Sequence, residues 1–232
     1  MVEDFPTFHA RPTREQPLAG ITALLVEDSR CASEAMRLLA LKSGARLRRA
    51  DSLAAAHRHL SVYRPMLVIV DMGLPDGSGA ELIGTLARAE PRVPVLLGTS
   101  GDPGAEAAAM AAGADGFLAK PVESLAAFQQ AVIAALPEGL APSGPRALPQ
   151  AMVGPDPRAL AGDLEQAAKL MRAGDAQSMA YAAQFLGAVA RSAHDSGLEA
   201  AAQSLTGHGG GAPARRVARL VASRLAEMRT PA

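Results

Sequence analysis

Short apolar runs alternate with Ala-rich stretches of helical period from residue 21 to residue 136, and this alternation constrains the fold of the chain more than any other feature. Most runs are bounded by Gly, Pro or a residue suited to begin a helix, which is typical of buried parallel strands. Strand and helix repeated five times predict an α/β fold, a doubly wound five-stranded parallel sheet with helices on both faces. The predicted strands cover residues 21–26, 45–50, 66–70, 93–97 and 116–119, and the predicted helices cover 29–42, 52–62, 79–88, 103–112 and 122–136.

The rest of the chain divides into three segments of different character. Residues 1–20 show no apolar period and predict a flexible N-terminal arm. Residues 137–157 hold six prolines and three glycines, a density that predicts a semi-stiff linker rather than helix or strand. Residues 158–232 carry four amphipathic patterns, with breaks at Gly174 and at 207–211, and predict a small all-α helical bundle.

Composition excludes several classes of protein. The 23 basic residues balance the 23 acidic residues, so no overall field draws the chain to nucleic acid or to a membrane. The single cysteine, Cys31, excludes a disulfide framework and a cysteine-based zinc site. No apolar run approaches the roughly 18 residues of a membrane span, and residues 1–20 lack the apolar core of a signal peptide. We therefore expect a cytoplasmic protein without a membrane partner.

Charged and hydroxyl side chains follow the predicted strands at the edge where a doubly wound sheet binds its ligands. Glu27 and Asp28 follow the first strand, Asp71 the third, Thr99 the fourth and Lys120 the fifth. Because the carboxyl ends of parallel strands meet at one edge, we expect these five side chains to converge. A capping role of Asp28 at the next helix and a turn role of Asp71 are the alternatives.

Three carboxylates at one edge need a cation or a shared proton. Two of them about 4 Å apart repel by about 4 kcal/mol at an effective dielectric constant of 20. Oxygen ligands on a rigid edge favour Mg²⁺. A carboxylate in such a site can attack a phosphoryl donor and form an aspartyl phosphate, with the metal and a lysine offsetting the charge on the transferred group.

Residues 21–136 resemble the receiver domain of two-component response regulators, which has a flavodoxin-like fold. The resemblance lies in four segments in their usual order: residues 24–29 (LLVEDS), 68–77 (VIVDMGLPDG), 94–99 (PVLLGT) and 112–121 (AGADGFLAKP). It implies that Asp71 is the phosphoacceptor. It further implies Mg²⁺ held by Glu27, Asp28, Asp71 and the backbone carbonyl of Gly73, phosphoryl contacts from Thr99 and Lys120, and an aromatic switch at Phe117.

The same resemblance implies a signalling switch rather than an enzyme with an independent output activity. The phosphoryl group would come from a histidine kinase or a phosphotransfer protein. Phosphorylation would then shift the receiver between two conformations, because the new charge-assisted bonds exist in only one of them.

The helical segment also resembles a known domain, the histidine phosphotransfer domain, over residues 181–188 (YAAQFLGA) and 197–205 (GLEAAAQSL). In that resemblance Ala183 stands where the phosphorylatable histidine belongs and Leu186 where a lysine belongs, while Gly187 is kept. A bundle of that shape without its nucleophile is suited to self-association or to binding a downstream protein. We expect His194, eleven residues after Ala183, to be a surface or helix-capping residue.

Two alternative functions remain at this stage. One is a DNA-binding transcriptional regulator, because Arg215, Arg216, Arg219, Arg224 and Arg229 on the last predicted helix face the single acidic residue Glu227. The other is a phosphorelay shuttle that uses His194. A solvated amphipathic face explains the arginines without DNA, and no short turn of the helix-turn-helix type joins two of the predicted helices.

Overall fold

The computed structural model describes residues 11–140, 147–205 and 212–229. The prediction of a flexible arm over 1–20 lies outside the described residues as far as residue 10. The prediction of a linker over 137–157 does so at 141–146, and the predicted break at 207–211 does so entirely.

The first half of the chain is the predicted doubly wound sheet, so the predicted fold class is confirmed. The elements are β1 (Thr22–Val26), α1 (Arg30–Lys42), β2 (Arg46–Ala50), α2 (Leu53–Val62), β3 (Leu67–Asp71), β4 (Gly73–Leu74), β5 (Gly77–Ser78), α3 (Gly79–Ala87), β6 (Val95–Ser100), α4 (Ala105–Ala112), β7 (Gly116–Ala119) and α5 (Leu125–Ala135). The five strands of the sheet lie side by side in the order β2-β1-β3-β6-β7, and every pairing among them is parallel. The two-residue strands β4 and β5, which the sequence did not predict, form an antiparallel ribbon after β3.

The sheet separates two apolar layers, because successive strand side chains point to opposite faces. Leu25, Ile69 and Leu97 pack with residues of α1 and α5 on one face. Their neighbours Leu24 and Val68 pack with residues of α2, α3 and α4 on the other face. The strands buried on both faces read as continuous apolar runs, whereas β2, with its arginines, lies at the edge as the sequence predicted.

Serine hydroxyls fix where several helices begin, because each accepts a bond from an otherwise unpaired backbone N–H of the first turn. Ser29 Oγ accepts from the N–H of Ala32 at 3.0 Å, and Ser124 Oγ accepts from the N–H of Ala127 at 3.2 Å. Ser29 thereby places the start of α1 directly after the acidic pair that ends β1.

The segments that flank the sheet take part in its core. Leu18 is fully buried in the layer formed with α1 and α5, although it lies in the predicted N-terminal arm. Val153 of the predicted linker is buried in the same layer, and its N–H donates to the carbonyl of Glu123 at 2.9 Å. The described parts of both flanking segments therefore pack against the receiver-like half instead of extending from it.

The second half of the chain is helical, as predicted. Asp156, Asp175 and Asp195 cap the starts of three of its helices, and Gly174 ends one of them with a φ of 76°. The helices are α6 (Pro157–Ala173), α7 (Ala176–Ser192), α8 (Ser196–Gln203) and α9 (Ala212–Arg229). No helix among the described residues is long and apolar enough to cross a bilayer.

The bundle packs directly on the sheet domain through α1. Cys31, on α1, is buried in the apolar cluster of the bundle together with Leu160, Leu164 and Leu186. The two halves therefore share an apolar contact, which the proline-rich composition of the segment between them did not suggest.

Candidate functional site

Three carboxylates meet at the carboxyl ends of β1 and β3, where the sequence predicted them. Glu27 and Asp28 follow β1, Asp71 ends β3, and one oxygen of each lies within 4.8 Å of the others. Nζ of Lys120, just after β7, lies 2.6 Å from Oε2 of Glu27 and 2.8 Å from Oδ2 of Asp71. Four side chains from three strand ends therefore form one buried charged cluster.

Burial in this cluster shifts the ionisation of its members. Burial raises the pKa of Glu27 to about 8, against the opposing effect of Lys120, and the charge of Asp71 adds to the rise. Burial also raises the pKa of Asp28 to about 6, although a hydrogen bond from Tyr181 opposes that rise. Burial alone would lower the pKa of Lys120, but the nearby charges of Glu27 and Asp71 raise it above its usual value. One lysine thus faces three carboxylates, and the site has an excess of negative charge.

The donor set of Glu27, Asp28 and Asp71 fits a divalent metal ion. All ligand atoms are carboxylate oxygens, which hard cations such as Mg²⁺ prefer. One oxygen of each side chain lies within 4.8 Å of the other two. These three side chains could bind a metal ion.

Thr99 lies on β6 beside the cluster, and Phe117 lies on β7, where it packs on the apolar layer formed with α2, α3 and α4. Thr99 is paired with Asp71 across β3 and β6, is fully buried, and its Oγ1 donates to the carbonyl of Leu118 at 2.7 Å. Phe117 is half-buried and packs against Gly98, where a Cβ atom would lie 3.1 Å from the ring. Gly73, the remaining predicted site residue, donates its N–H to Oδ1 of Asp71 at 3.3 Å. The structure brings all the predicted site residues to this region of the sheet.

Two side chains from the bundle, which the sequence did not predict at this site, also reach this edge. The Tyr181 hydroxyl, on α7, donates to Oδ2 of Asp28. The buried Asp163 carboxylate, on α6, accepts from Oγ of Ser29 at 2.8 Å and from the N–H groups of Arg30 at 2.8 Å and Cys31 at 2.9 Å. The one available signal was the place of Asp163 between Leu160 and Leu164 on the apolar side of its helix, where an unpaired carboxylate is costly.

The residues singled out on α7 are divided between its two sides. Ala183, placed by the resemblance at the phosphorylatable position, is buried in the apolar cluster of the bundle with Leu186. Its neighbour Gln184 faces the receiver-like half instead, and its amide lies against Gly73 so closely that a Cβ there would collide with it. His194 is exposed, as expected, and its Nε2 lies 2.7 Å from Oε1 of Glu123.

Comparison with known proteins finds similarity in the first half of the chain. Residues 23–132 match the family model of the response regulator receiver domain. The KDP operon transcriptional regulatory protein KdpE of Escherichia coli K12 is 33% identical over 98 residues, which cover 42% of this chain and 44% of that protein. The response regulator protein FleR of Pseudomonas aeruginosa is 36% identical over 128 residues, covering 54% of this chain and 27% of that protein.

Further similarities cover the same region. The virulence transcriptional regulatory protein PhoP of Salmonella typhimurium is 29% identical over 113 residues, 47% of this chain and 50% of that protein. A crystal structure of a response regulator from Chloroflexus aurantiacus is 31% identical, with a TM-score of 0.40, over 44% of this chain and 85% of that one. The chain thus spans half or less of the curated relatives named here. Together, the sheet, the acidic cluster and the family match show that residues 23–132 are a response regulator receiver domain of two-component systems.

Proposed function

We propose that the chain is a two-component response regulator in which Asp71 accepts a phosphoryl group from a histidine kinase or a phosphotransfer protein. The observation that carries this proposal is the position of Asp71, whose Oδ2 lies 2.8 Å from the buried Nζ of Lys120, in one cluster with Glu27 and Asp28. A carboxylate beside a fixed cation, with two further carboxylates that could hold a metal ion, is suited to attack phosphorus.

The chemistry follows from the arrangement of these side chains. An oxygen of Asp71 attacks phosphorus and forms an acyl phosphate, while the bond from phosphorus to the donor nitrogen breaks and the imidazole of the donor leaves. Lys120 stays close enough to offset the charge on the transferred phosphoryl oxygens. Mg²⁺ held by Glu27, Asp28, Asp71 and the carbonyl of Gly73 would supply the remaining positive charge.

Thr99 is the residue through which phosphorylation of Asp71 would change the conformation of the receiver surface. Its hydroxyl donates to the carbonyl of Leu118. Turning that hydroxyl towards a phosphoryl oxygen breaks this bond. The carbonyl of Leu118, next to Phe117 on β7, then loses its contact with Thr99. The phosphorylated form gains a charge-assisted bond that the other form lacks, which is the free-energy difference that a population shift requires.

The bundle is the proposed output element, acting through protein contacts with a downstream partner or a second copy of the chain. Its resemblance to a histidine phosphotransfer domain supports this role, and Ala183, at the position of the phosphorylatable histidine, leaves it without that nucleophile. We assign no separate enzymatic activity to the bundle, and we place the protein in the cytoplasm, where its proposed kinase would act.

DNA binding through α9 is the second candidate function. Arg215, Arg216 and Arg219 are exposed on this helix, which favours it. Arg224 and Arg229, however, pair with Asp195 at 2.7 Å and with Glu165 at 3.1 Å, so part of the positive charge is neutralised within the bundle. A steep loss of affinity for duplex DNA with rising salt would support this function, whereas salt-insensitive self-association on phosphorylation would support the first.

The direct test of the first function is intact-protein mass after incubation with a small acyl phosphate and Mg²⁺. We expect one phosphoryl adduct on the wild type and none on Asp71→Asn, because the substitution removes the nucleophile but keeps the size of the side chain. Equal labelling of the two proteins would show that another residue is the acceptor.

A further inference from the structure

Helix α7 lies across the carboxyl ends of four neighbouring strands. Its contacts follow the order of the strands in the sheet: Tyr181 at Asp28 after β1, Gln184 at Gly73 after β3, Arg191 at Gly101 after β6, and His194, just beyond the helix, at Glu123 after β7. From Tyr181 to its end at Ser192 the helix rises by about 16 Å, which is enough to cross the roughly 14 Å occupied by four strands.

This placement covers the approach to Asp71. A phosphoryl donor reaches a strand-end carboxylate from beyond the strands, which is the side that α7 occupies. Asp71 is only 6% exposed. The amide of Gln184 lies on Gly73, two residues from Asp71, and the guanidinium of Arg191 lies where a side chain at Gly101 would be.

Tyr181 also binds a carboxylate that the cation site needs. Its hydroxyl donates to Oδ2 of Asp28, one of the three carboxylates of the cluster. A Mg²⁺ ion bound there keeps several water molecules in its shell, and these need space on the open side of the carboxylate. The carboxylate of Asp28 therefore accepts a hydrogen bond from the bundle when α7 is docked and would bind the cation when α7 is not docked.

A second contact holds the loop after β1 to the bundle. Asp163 accepts hydrogen bonds from Ser29, Arg30 and Cys31, the three residues that follow Asp28. All four residues of this loop and helix start are thus bound by α6 or α7. The hydrogen bonds of this loop with Tyr181 of α7 and Asp163 of α6 therefore oppose a movement of Asp28 towards a cation.

We propose that the side of α7 formed by Tyr181, Gln184, Arg191 and His194 is a binding surface for the chain's own receiver domain, and that it competes with Mg²⁺ and the phosphoryl donor. The proposal rests on the proposed function, in which this edge binds Mg²⁺ and Asp71 is phosphorylated. Because linkage is reciprocal, binding of the cation weakens docking of the bundle as much as docking weakens binding of the cation. Phosphorylation then releases the face of α7 as the output surface.

The test compares Mg²⁺ affinity, measured by calorimetry on the full chain, for the wild type, Tyr181→Phe and Tyr63→Phe. Tyr63 is the other tyrosine, lies away from the edge with Arg48 over its ring, and is the matched control. We expect Tyr181→Phe to bind Mg²⁺ about tenfold more tightly, as loss of a hydrogen bond to a charged group predicts. We expect Tyr63→Phe to match the wild type.

Tyrosine emission provides an independent measurement in the same proteins. The chain has no tryptophan and two tyrosines, so Tyr181 is the sole emitter in Tyr63→Phe. We expect its emission to change when Mg²⁺ and the acyl phosphate are added, because the hydroxyl leaves the carboxylate of Asp28.

The outcomes separate this proposal from the proposed function. Unchanged emission and equal Mg²⁺ affinities, with Asp71 labelled normally, would overturn the competition and leave the phosphoacceptor in place. Absence of the Asp71 adduct from both the wild type and Tyr181→Phe would overturn the proposed function, and the competition with it.

Discussion

The receiver domain and the helical bundle show how differently two parts of one chain reveal their chemistry. In the receiver domain the side chains of the candidate site stand at strand ends, and the parallel topology itself brings Glu27, Asp71 and Lys120 together. In the bundle, Tyr181 and Asp163 stand on helices, and no rule of topology says which neighbour a helix side chain contacts. Both side chains contact the receiver domain.

Two aspartates that bind the first N–H groups of a helix illustrate the same difference. Asp175 caps its own helix α7, accepting from the N–H of Ser178, and is exposed. Asp163 lies within α6 and accepts from the first N–H groups of α1, a helix of the other domain, and burial raises its pKa. The local sequence explains the first contact, whereas only the packing of the two domains explains the second.

Among tests of the difference between the two domains, we expect the largest loss of unfolding free energy from a substitution in the bundle core. Leu164 is 1% exposed in the bundle, and we expect Leu164→Ala to cost about 2–5 kcal/mol of unfolding free energy, since it leaves a cavity. Leu96→Ala in the receiver core is the matched control, expected to cost a similar amount. Urea denaturation followed by circular dichroism should show one shared transition for both variants. A separate early transition in Leu164→Ala alone would mean that the bundle unfolds independently of the receiver domain.

We expect a smaller loss of unfolding free energy when the contact between the domains is removed. We expect Asp163→Ala to cost about 1–3 kcal/mol of unfolding free energy, because it leaves the N–H groups of Arg30 and Cys31 without their partner. Asp175→Ala removes an exposed cap of the same residue type and should cost less. Equal losses in thermal or urea denaturation would contradict the difference drawn here between the two aspartates.

The smallest expected change in stability concerns a partly buried ion pair within the bundle. Arg224 bonds Asp195 at 2.7 Å and holds the pKa of that carboxyl below its usual value. A lowered carboxyl pKa contributes stability above the unfolded pKa, and this stability is lost as the pH falls through the folded pKa. Arg224→Lys should therefore be slightly less stable than the wild type at neutral pH, and the difference should disappear in acid. A difference that grew in acid would contradict the pair.

The sequence alone predicted most of the fold. Apolar runs and helical periods located the five strands of the sheet and the helices, with bounds that differ from the structure by a few residues. The ribbon of β4 and β5 was not predicted, because two-residue strands have no period to detect. The packing of Leu18 and Val153 was not predicted either, since isolated apolar residues among prolines and charges carry no pattern.

The candidate site was predictable to the extent that it depends on strand ends. Glu27, Asp28, Asp71 and Lys120 lie together as expected, and their roles remain proposals. The facing surface of α7 was less predictable. The resemblance aligned Ala183 with the missing histidine, but Ala183 shares its side of the helix with Leu186 and Ala190, at intervals of three and four residues, and so points into the bundle. Gln184, one position later, turns to the receiver domain.

Amide hydrogen exchange at Arg30 and Cys31 tests most directly whether the bundle holds the loop after β1 until Asp71 is phosphorylated. Both N–H groups donate to Asp163 of the bundle, and at a helix start they have no partner within their own helix. We predict slow exchange before phosphorylation and fast exchange after treatment with acyl phosphate and Mg²⁺, in the wild type but not in Asp71→Asn. Exchange that stays slow in the phosphorylated wild type would contradict release of the bundle.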